Sequence, residues 1–197
     1  MSRVEQIRLD RGIADILPYA HAVEIDETSL AKTRKYNRGR SFEDFWLFDG
    51  VDRTTGQWFG RIVYDDRKKA TLIPIIKEYI KPKTHIISDM FASYVCERGG
   101  KLYTLDNNRY LTRMEYEHSW VNHSENFKDP TTGAHTNTIE GLWEVHIKRH
   151  IKRMREMTRK HLEAYLDEYM WRSYFFPARA STAQFMCGLV QAISRSK

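Results

Sequence analysis

Alternation organises the first half of the chain. In residues 22–28 (AVEIDET), Val23 and Ile25 fall on one side, Glu24 and Asp26 on the other. That period of two is the mark of a half-buried strand, here with a carboxylate near its end. Residues 45–51 (FWLFDGV) and 58–64 (WFGRIVY) are two further strands, joined by the turn-forming segment 52–57 (DRTTGQ). Together they predict an antiparallel meander, with a basic loop over 32–40 (KTRKYNRGR). Residues 67–80 switch to helical spacing, although Pro74 inside them should kink or shift the helix. Residues 84–88 (THIIS) are short, β-branched and apolar and end at Asp89, which predicts a parallel central strand with an acid at its C-terminal end. Next come a helix over 91–97 stopped by Gly99-Gly100, an inserted loop or hairpin over 101–115, and a fifth strand over 116–122 (YEHSWVN).

The last third reads as helical. A loop over 124–134, with Asp129-Pro130 and Gly133, leads to one helix expected from Thr136 to about Arg155, capped by Thr136 or Asn137. Residues three and four apart share a face, so Ile139, Trp143, Ile147 and Ile151 form an apolar stripe and Asn137, Glu140 and Glu144 a polar one. A further helix is expected over 158–175, with Thr158 capping it and Pro177 ending it, then a short helix within 181–197. Three strands, helix, strand, helix, strand and two helices is the order of an α/β, ribonuclease-H-like (retroviral-integrase-like) domain, a mixed five-stranded sheet flanked by helices. In that architecture the first and fourth strands are neighbours at the sheet centre. Asp26 would then lie beside Asp89, and the helix carrying Glu140 would cross the same end.

Composition narrows the class. The 197 residues, 41% hydrophobic, suit one soluble globular domain. No apolar run approaches the roughly 18 to 20 residues of a membrane span, and the charged N-terminus has no signal-peptide core, so neither membrane insertion nor secretion is expected. Cys96 and Cys187 are far apart and in no CxxC pair, which excludes zinc ribbons and disulfide frameworks; both are expected as reduced, buried thiols. Net charge is +6, and seven Lys or Arg face one acid between residues 148 and 160. That run is either a solvated helix face or a surface for a polyanion. His118, His123 and His135 lack the compact helical spacing of a zinc site and are expected as hydrogen-bonded loop or edge residues, with His135 near enough to Glu140 to meet a phosphate. The five tryptophans read mainly as core, with stacking on an unpaired base as the alternative.

Four segments in order, VEIDET (23–28), IISDMFASY (86–94), VNHSENFKDP (121–130) and HTNTIEGLW (135–143), resemble the transposase domain of the ISXO-type insertion sequences and their Merlin-type relatives. KHLEAYLDEYMWR (160–172) resembles the helix that closes those domains, so the similarity runs from about residue 22 to 174. The resemblance implies a DDE-type transposase with Asp26, Asp89 and Glu140 as acidic triad and metal ligands. Asn137 is the alternative third ligand, since some relatives give that role to the asparagine of this motif. It implies two Mg²⁺ or Mn²⁺ ions, and as partners the transposon terminal inverted repeats, target DNA and further copies of the chain. His135, Lys148, Arg149, Lys152, Arg153 and Arg155 are the candidate DNA-binding residues.

The division expected is an N-terminal arm (1–20), a ribonuclease-H-like transposase catalytic domain (21–176) and a C-terminal tail (177–197). The location expected is the nucleus in a eukaryote, or the cytoplasm and nucleoid in a bacterium. Two departures stand out. The family's basic residue about seven positions after the glutamate falls here on Ile147, flanked by His146, Lys148 and Arg149. Full-length relatives also carry a DNA-binding region ahead of the catalytic domain, where this chain has about 20 residues and no ligand cysteines. It reads as a truncated copy, a partial gene model or a domesticated remnant. The alternative function is therefore an inactive derivative that binds DNA or a protein partner. The active reading has a clear chemistry: hard divalent cations want carboxylate oxygens, and a pair of ions can serve both attacking and leaving oxygens at a phosphate.

Overall fold

The computed structural model describes residues 22–30, 46–64, 66–149, 159–176 and 181–194. Strands β1 (Ala22–Ser29), β2 (Trp46–Asp52) and β3 (Trp58–Tyr64) form the expected meander. Helix α1 (Lys69–Tyr79) and β4 (His85–Asp89) follow, then a hairpin of β5 (Cys96–Arg98) and β6 (Lys101–Tyr103), then β7 (Glu117–Val121). The chain continues through α2 (Asn137–Leu142), α3 (Arg159–Phe175) and α4 (Thr182–Ser194). The main sheet runs β3-β2-β1-β4-β7, antiparallel from β3 to β1 and parallel from β1 to β7. This is the mixed, ribonuclease-H-like sheet that the element order predicts. The arm 1–20, the basic loop 32–40, Ile151, the Thr158 cap and Pro177 lie outside the described residues.

Helices cover both faces of the centre. Val23 and Ile25 are fully buried, but so is Glu24 on the opposite face, so β1 is not the half-buried strand its alternation suggests. On one face Tyr79 of α1 stacks on Phe59, with ring centroids 4.8 Å apart. Gly50 makes room for that ring, because a Cβ there would stand 2.4 Å from it. On the other face α2 packs against β1 and β2, and α3 against β3. Leu162, Leu166 and Met170, at i, i+4 and i+8, are the buried edge of α3. Pro74 lies inside α1 on its exposed side; it cannot donate to the preceding turn, and the helix runs on to Tyr79.

Three expectations need correction. Residues 91–97 are not a helix. The N–H groups of Tyr94 and Val95 both bond the Phe91 carbonyl to make a single turn, and the chain then enters β5. Gly99 and Gly100, with φ of +60° and +70°, form the connection to β6. Two successive residues of positive φ match the twist of a tight hairpin, so this glycine pair turns a ribbon and does not end a helix. The helix expected from Thr136 to Arg155 is also not uniform. After Leu142 it widens into a π turn over Trp143–Ile147, in which the Lys148 N–H reaches back to the Trp143 carbonyl. Finally, Cys96 is only half-buried and Cys187 is exposed, so neither is a core thiol.

Candidate active site

Two acids meet at the end of the parallel pair. The register sets Glu24 beside Ile87, which carries Asp26, two residues on, alongside Asp89. Burial raises the Asp26 pKa to about 8, with the charge of Asp89 next in effect and those of Glu140 and Glu24 adding to it. The Glu27 N–H, 2.6 Å from Asp26 Oδ1, acts the other way. Asp89 is also raised by burial, opposed by the Phe91 N–H on its Oδ1 (3.0 Å) and by the charges of His123 and Arg67. Glu27 is pushed up to about 9, by burial first and then by Asp26 and Asp89, and among the described residues its Oε1 has no hydrogen-bond partner. Arg67, whose charge opposes the rise at Glu27 and Asp89, is held between Trp46 and Phe91 with its guanidinium 3.5 Å from the first ring's centroid and 5.3 Å from the second's.

The third element is held to the sheet by two further acids. Thr136, at the N-cap of α2, makes no side-chain cap bond. Glu24 supplies one from β1: its Oε2 accepts the Ile139 N–H at 2.9 Å, while its Oε1 takes Arg53 Nε at 2.5 Å. Arg53 also donates through Nη2 to the His135 carbonyl at 2.7 Å. One turn on, Trp143 Nε1 donates to Asp49 Oδ2 at 2.7 Å. Asp49 is fully buried, stands opposite Asp26 in the β1–β2 register, and is held well above the usual carboxylate range by burial, with Asp26 and Glu27 contributing. Glu140 lies between these anchors, half-buried, 3.5 Å from Thr136 Oγ1 and close enough for its charge to reach Asp26. Trp143→Phe is therefore expected to cost about 1–3 kcal/mol, since it strands the buried Asp49 oxygen. Thermal unfolding would measure it, and an unchanged midpoint would show that this bond does not fasten the helix.

The remaining candidates separate. Asn137 is exposed on the first turn of α2. His135 turns toward Glu24, with Nδ1 3.8 Å from Oε1, and burial and Arg53 lower its pKa, so it stands neutral there. Lys148 donates to Glu144 Oε1 at 2.6 Å, its ammonium lies 5.9 Å from the Trp143 ring centroid, and its charge reaches Asp49. The π turn explains its place: one extra residue in the turn sends Ile147 into the core and carries Lys148 round toward the acids. Arg149 is exposed, and Lys152, Arg153 and Arg155 lie outside the described residues.

The histidines are hydrogen-bonded as expected. His118 Nδ1 accepts the Leu105 N–H, which leaves Nε2–H to donate to Ser88 Oγ, and Ser88 in turn donates to the Asp89 carbonyl. Burial lowers the His118 pKa to about 4, so this relay toward Asp89 is uncharged. His123 bonds Thr136 Oγ1 at 2.9 Å and closes the base of the loop that precedes α2. Sequence reasoning missed Glu24, Asp49, Arg53 and Arg67. The signal was present in acids at positions 24, 49 and 52, inside strands whose neighbours are nearly all apolar. Among the described residues, no three His, Cys, Asp or Glu side chains converge as a closed metal-binding cluster.

Comparison with known proteins bears on the family and the fold. A transposase-like protein of Haemophilus influenzae is 32% identical over 111 residues, which span 56% of this chain and 76% of that protein. A chain of the simian T-cell lymphotropic virus intasome, solved in complex with a PP2A regulatory subunit, superposes with a TM-score of 0.50 at 12% identity. The match covers 87% of this chain and 55% of that one, so the present chain spans about half its length and the likeness is one of fold. The catalytic core domain of BIV integrase gives a TM-score of 0.48 at 10% identity, covering 90% of this chain and 99% of that core. The ISXO2-like transposase domain matches residues 20–173, and the chain belongs to that family.

Proposed function

We propose that this is a DDE-type transposase domain that cuts and joins DNA strands, with Asp26, Asp89 and Glu140 as its acidic triad. The observation that carries the reading is the pairing of Asp26 and Asp89 where the parallel β1–β4 ladder ends, half-buried and repelling, with Glu140 in charge reach. Carboxylates raised by burial, and at Asp26 also by Asp89 and Glu140, fit a divalent cation, which would relieve the strain that Arg67 offsets at Asp89. Asp26 and Asp89 each commit Oδ1 to a backbone N–H, which orients both carboxylates before any ion arrives. Two Mg²⁺ or Mn²⁺ ions bound there would supply activation of water or a 3′-hydroxyl and stabilise the leaving oxygen. An ion of this kind takes one or two protein carboxylates and completes its shell with water and phosphate, so a closed cluster is not required.

Glu140 rather than Asn137 is the third member in this reading, because Glu140 is half-buried within charge reach of Asp26 while Asn137 is exposed on the first turn of α2. Lys148 and Arg149 begin the cationic face toward a DNA phosphate, which Lys152, Arg153 and Arg155 would extend. The catalytic unit is residues 21–176. Its partners are terminal repeat DNA, target DNA and further copies of the chain. Metal-dependent nicking or strand transfer on terminal-repeat DNA tests the reading, with Asp89→Ala expected to abolish it. Equal activity in both proteins would sink it. A derivative that binds DNA without cutting it is the second reading, favoured by the acids, which among the described residues do not close into a cluster. Salt-sensitive DNA binding with no cleavage, even in Mn²⁺, would decide for it.

A further inference from the structure

Glu24 lies outside the proposed triad, yet it is fully buried. A carboxylate in that position is costly unless its oxygens are matched, and here both are: one by Arg53, the other by the Ile139 N–H. Its place in the chain gives those bonds a further meaning. Two residues apart on a strand, Glu24 and Asp26 share a face of β1. Ile139 immediately precedes Glu140. The path from the first acid of the triad to the third is thus two residues of strand, one hydrogen bond and one residue of helix. Thr136 itself does not cap α2, its hydroxyl being shared between His123 and Glu140, and the other side-chain bond to the first turn is a long one, from the Asn137 N–H to His135 Nδ1 at 3.4 Å. Arg53 leaves the β2–β3 turn, balances the Glu24 charge and holds the His135 carbonyl just ahead of the helix.

We infer that Glu24, paired with Arg53, is the positioning residue of this site: it caps α2 from the neighbouring strand and sets where Glu140 stands relative to Asp26. The inference rests on the reading of Glu140 as an active-site acid. It makes Glu24 a group that acts through Glu140 and touches neither metal nor DNA.

Two measurements on the full chain test it. In the metal-free protein, Glu24→Ala should speed amide exchange in the peptide covering the first turn of α2 by about tenfold, with β2 and β3 unaffected. Glu24→Gln should restore most of the protection, since an amide oxygen still accepts the Ile139 N–H. Arg53→Met, which keeps the carboxylate and removes its counter-charge, should move the same peptide in the same direction. In strand cleavage, Glu24→Ala should raise the half-saturating Mn²⁺ concentration by about tenfold and add nothing to the loss caused by Glu140→Ala. Unchanged exchange at α2, or losses that multiply in the double variant, would overturn the inference. If the wild-type chain cleaves no DNA with any divalent metal, the proposed function fails, and the exchange result alone decides whether Glu24 holds the helix.

Discussion

Asp26→Asn is expected to slow strand cleavage by on the order of a thousandfold or more while making the metal-free protein more stable. The two effects have one cause. Asp26 is half-buried beside Asp89, with Glu140 and Glu24 close enough to add to the strain on its charge. An amide keeps the hydrogen bond from the Glu27 N–H but carries no charge, so it relieves the repulsion and loses the hard ligand oxygen together. The expected gain is about 1–3 kcal/mol near pH 8, a rise of several degrees in the melting midpoint. A residue with only a structural role would lose stability and activity in step. Cleavage assays beside thermal melts of the same preparations distinguish the cases, and a destabilised Asp26→Asn protein would contradict the electrostatic account of the site.

The second large effect is on pH. Asp26 and Glu27 hold their protons in the folded chain up to about 8 and 9, against ordinary values of 3.8 and 4.5, and Asp49 and Asp89 shift the same way. The folded state therefore binds more protons than the unfolded one across that interval. Their favourable contribution is complete below the unfolded values near pH 4 and is lost as the pH rises through the folded ones. Each such group can remove up to about 1.4 kcal/mol per pH unit inside its window. Metal-free protein should consequently melt lower at about pH 8.5 than at about pH 5.5, and Mn²⁺ should reverse the trend by stabilising the ionised carboxylates. Melting curves over that range, with and without Mn²⁺, measure both. A midpoint that climbs with pH in the absence of metal would mean that the acids are paired with cations and do not repel one another.

What could be read in advance, and what could not, divides along physical lines. β1 to β4 and β7 follow from apolar alternation and β-branching, and the two acids follow from them because Asp89 closes β4 and Asp26 lies near the end of the neighbouring β1. Residues 91–97 misled because Phe91, Tyr94 and Val95 sit at helical spacing, whereas the glycine pair that decides the matter acts afterwards. Glu24 and Asp49 were invisible for a different reason. Alternation assigns one face of a strand to solvent, and nothing local reveals that a helical segment 94 to 115 residues later will cover it. The π turn is beyond local reading too, since the tryptophan that begins it bonds a carboxylate on β2. The misses at Glu24, Asp49 and the π turn concern contacts that exist only once distant segments meet.

That turn has a consequence for how this helix can vary. Measured along the chain, the seventh residue after Glu140 is a core isoleucine, and a column-by-column comparison would record the family's cation as lost. Measured by rotation about the helix axis, the next residue fills that place. Trp143–Ile147 is thus a joint where a single residue can be gained or removed between two fixed points, the glutamate on one side and the basic face on the other. Length changes confined to it would leave the acids and the cations facing one another, while the same change one turn earlier would rotate Glu140 away from Asp26.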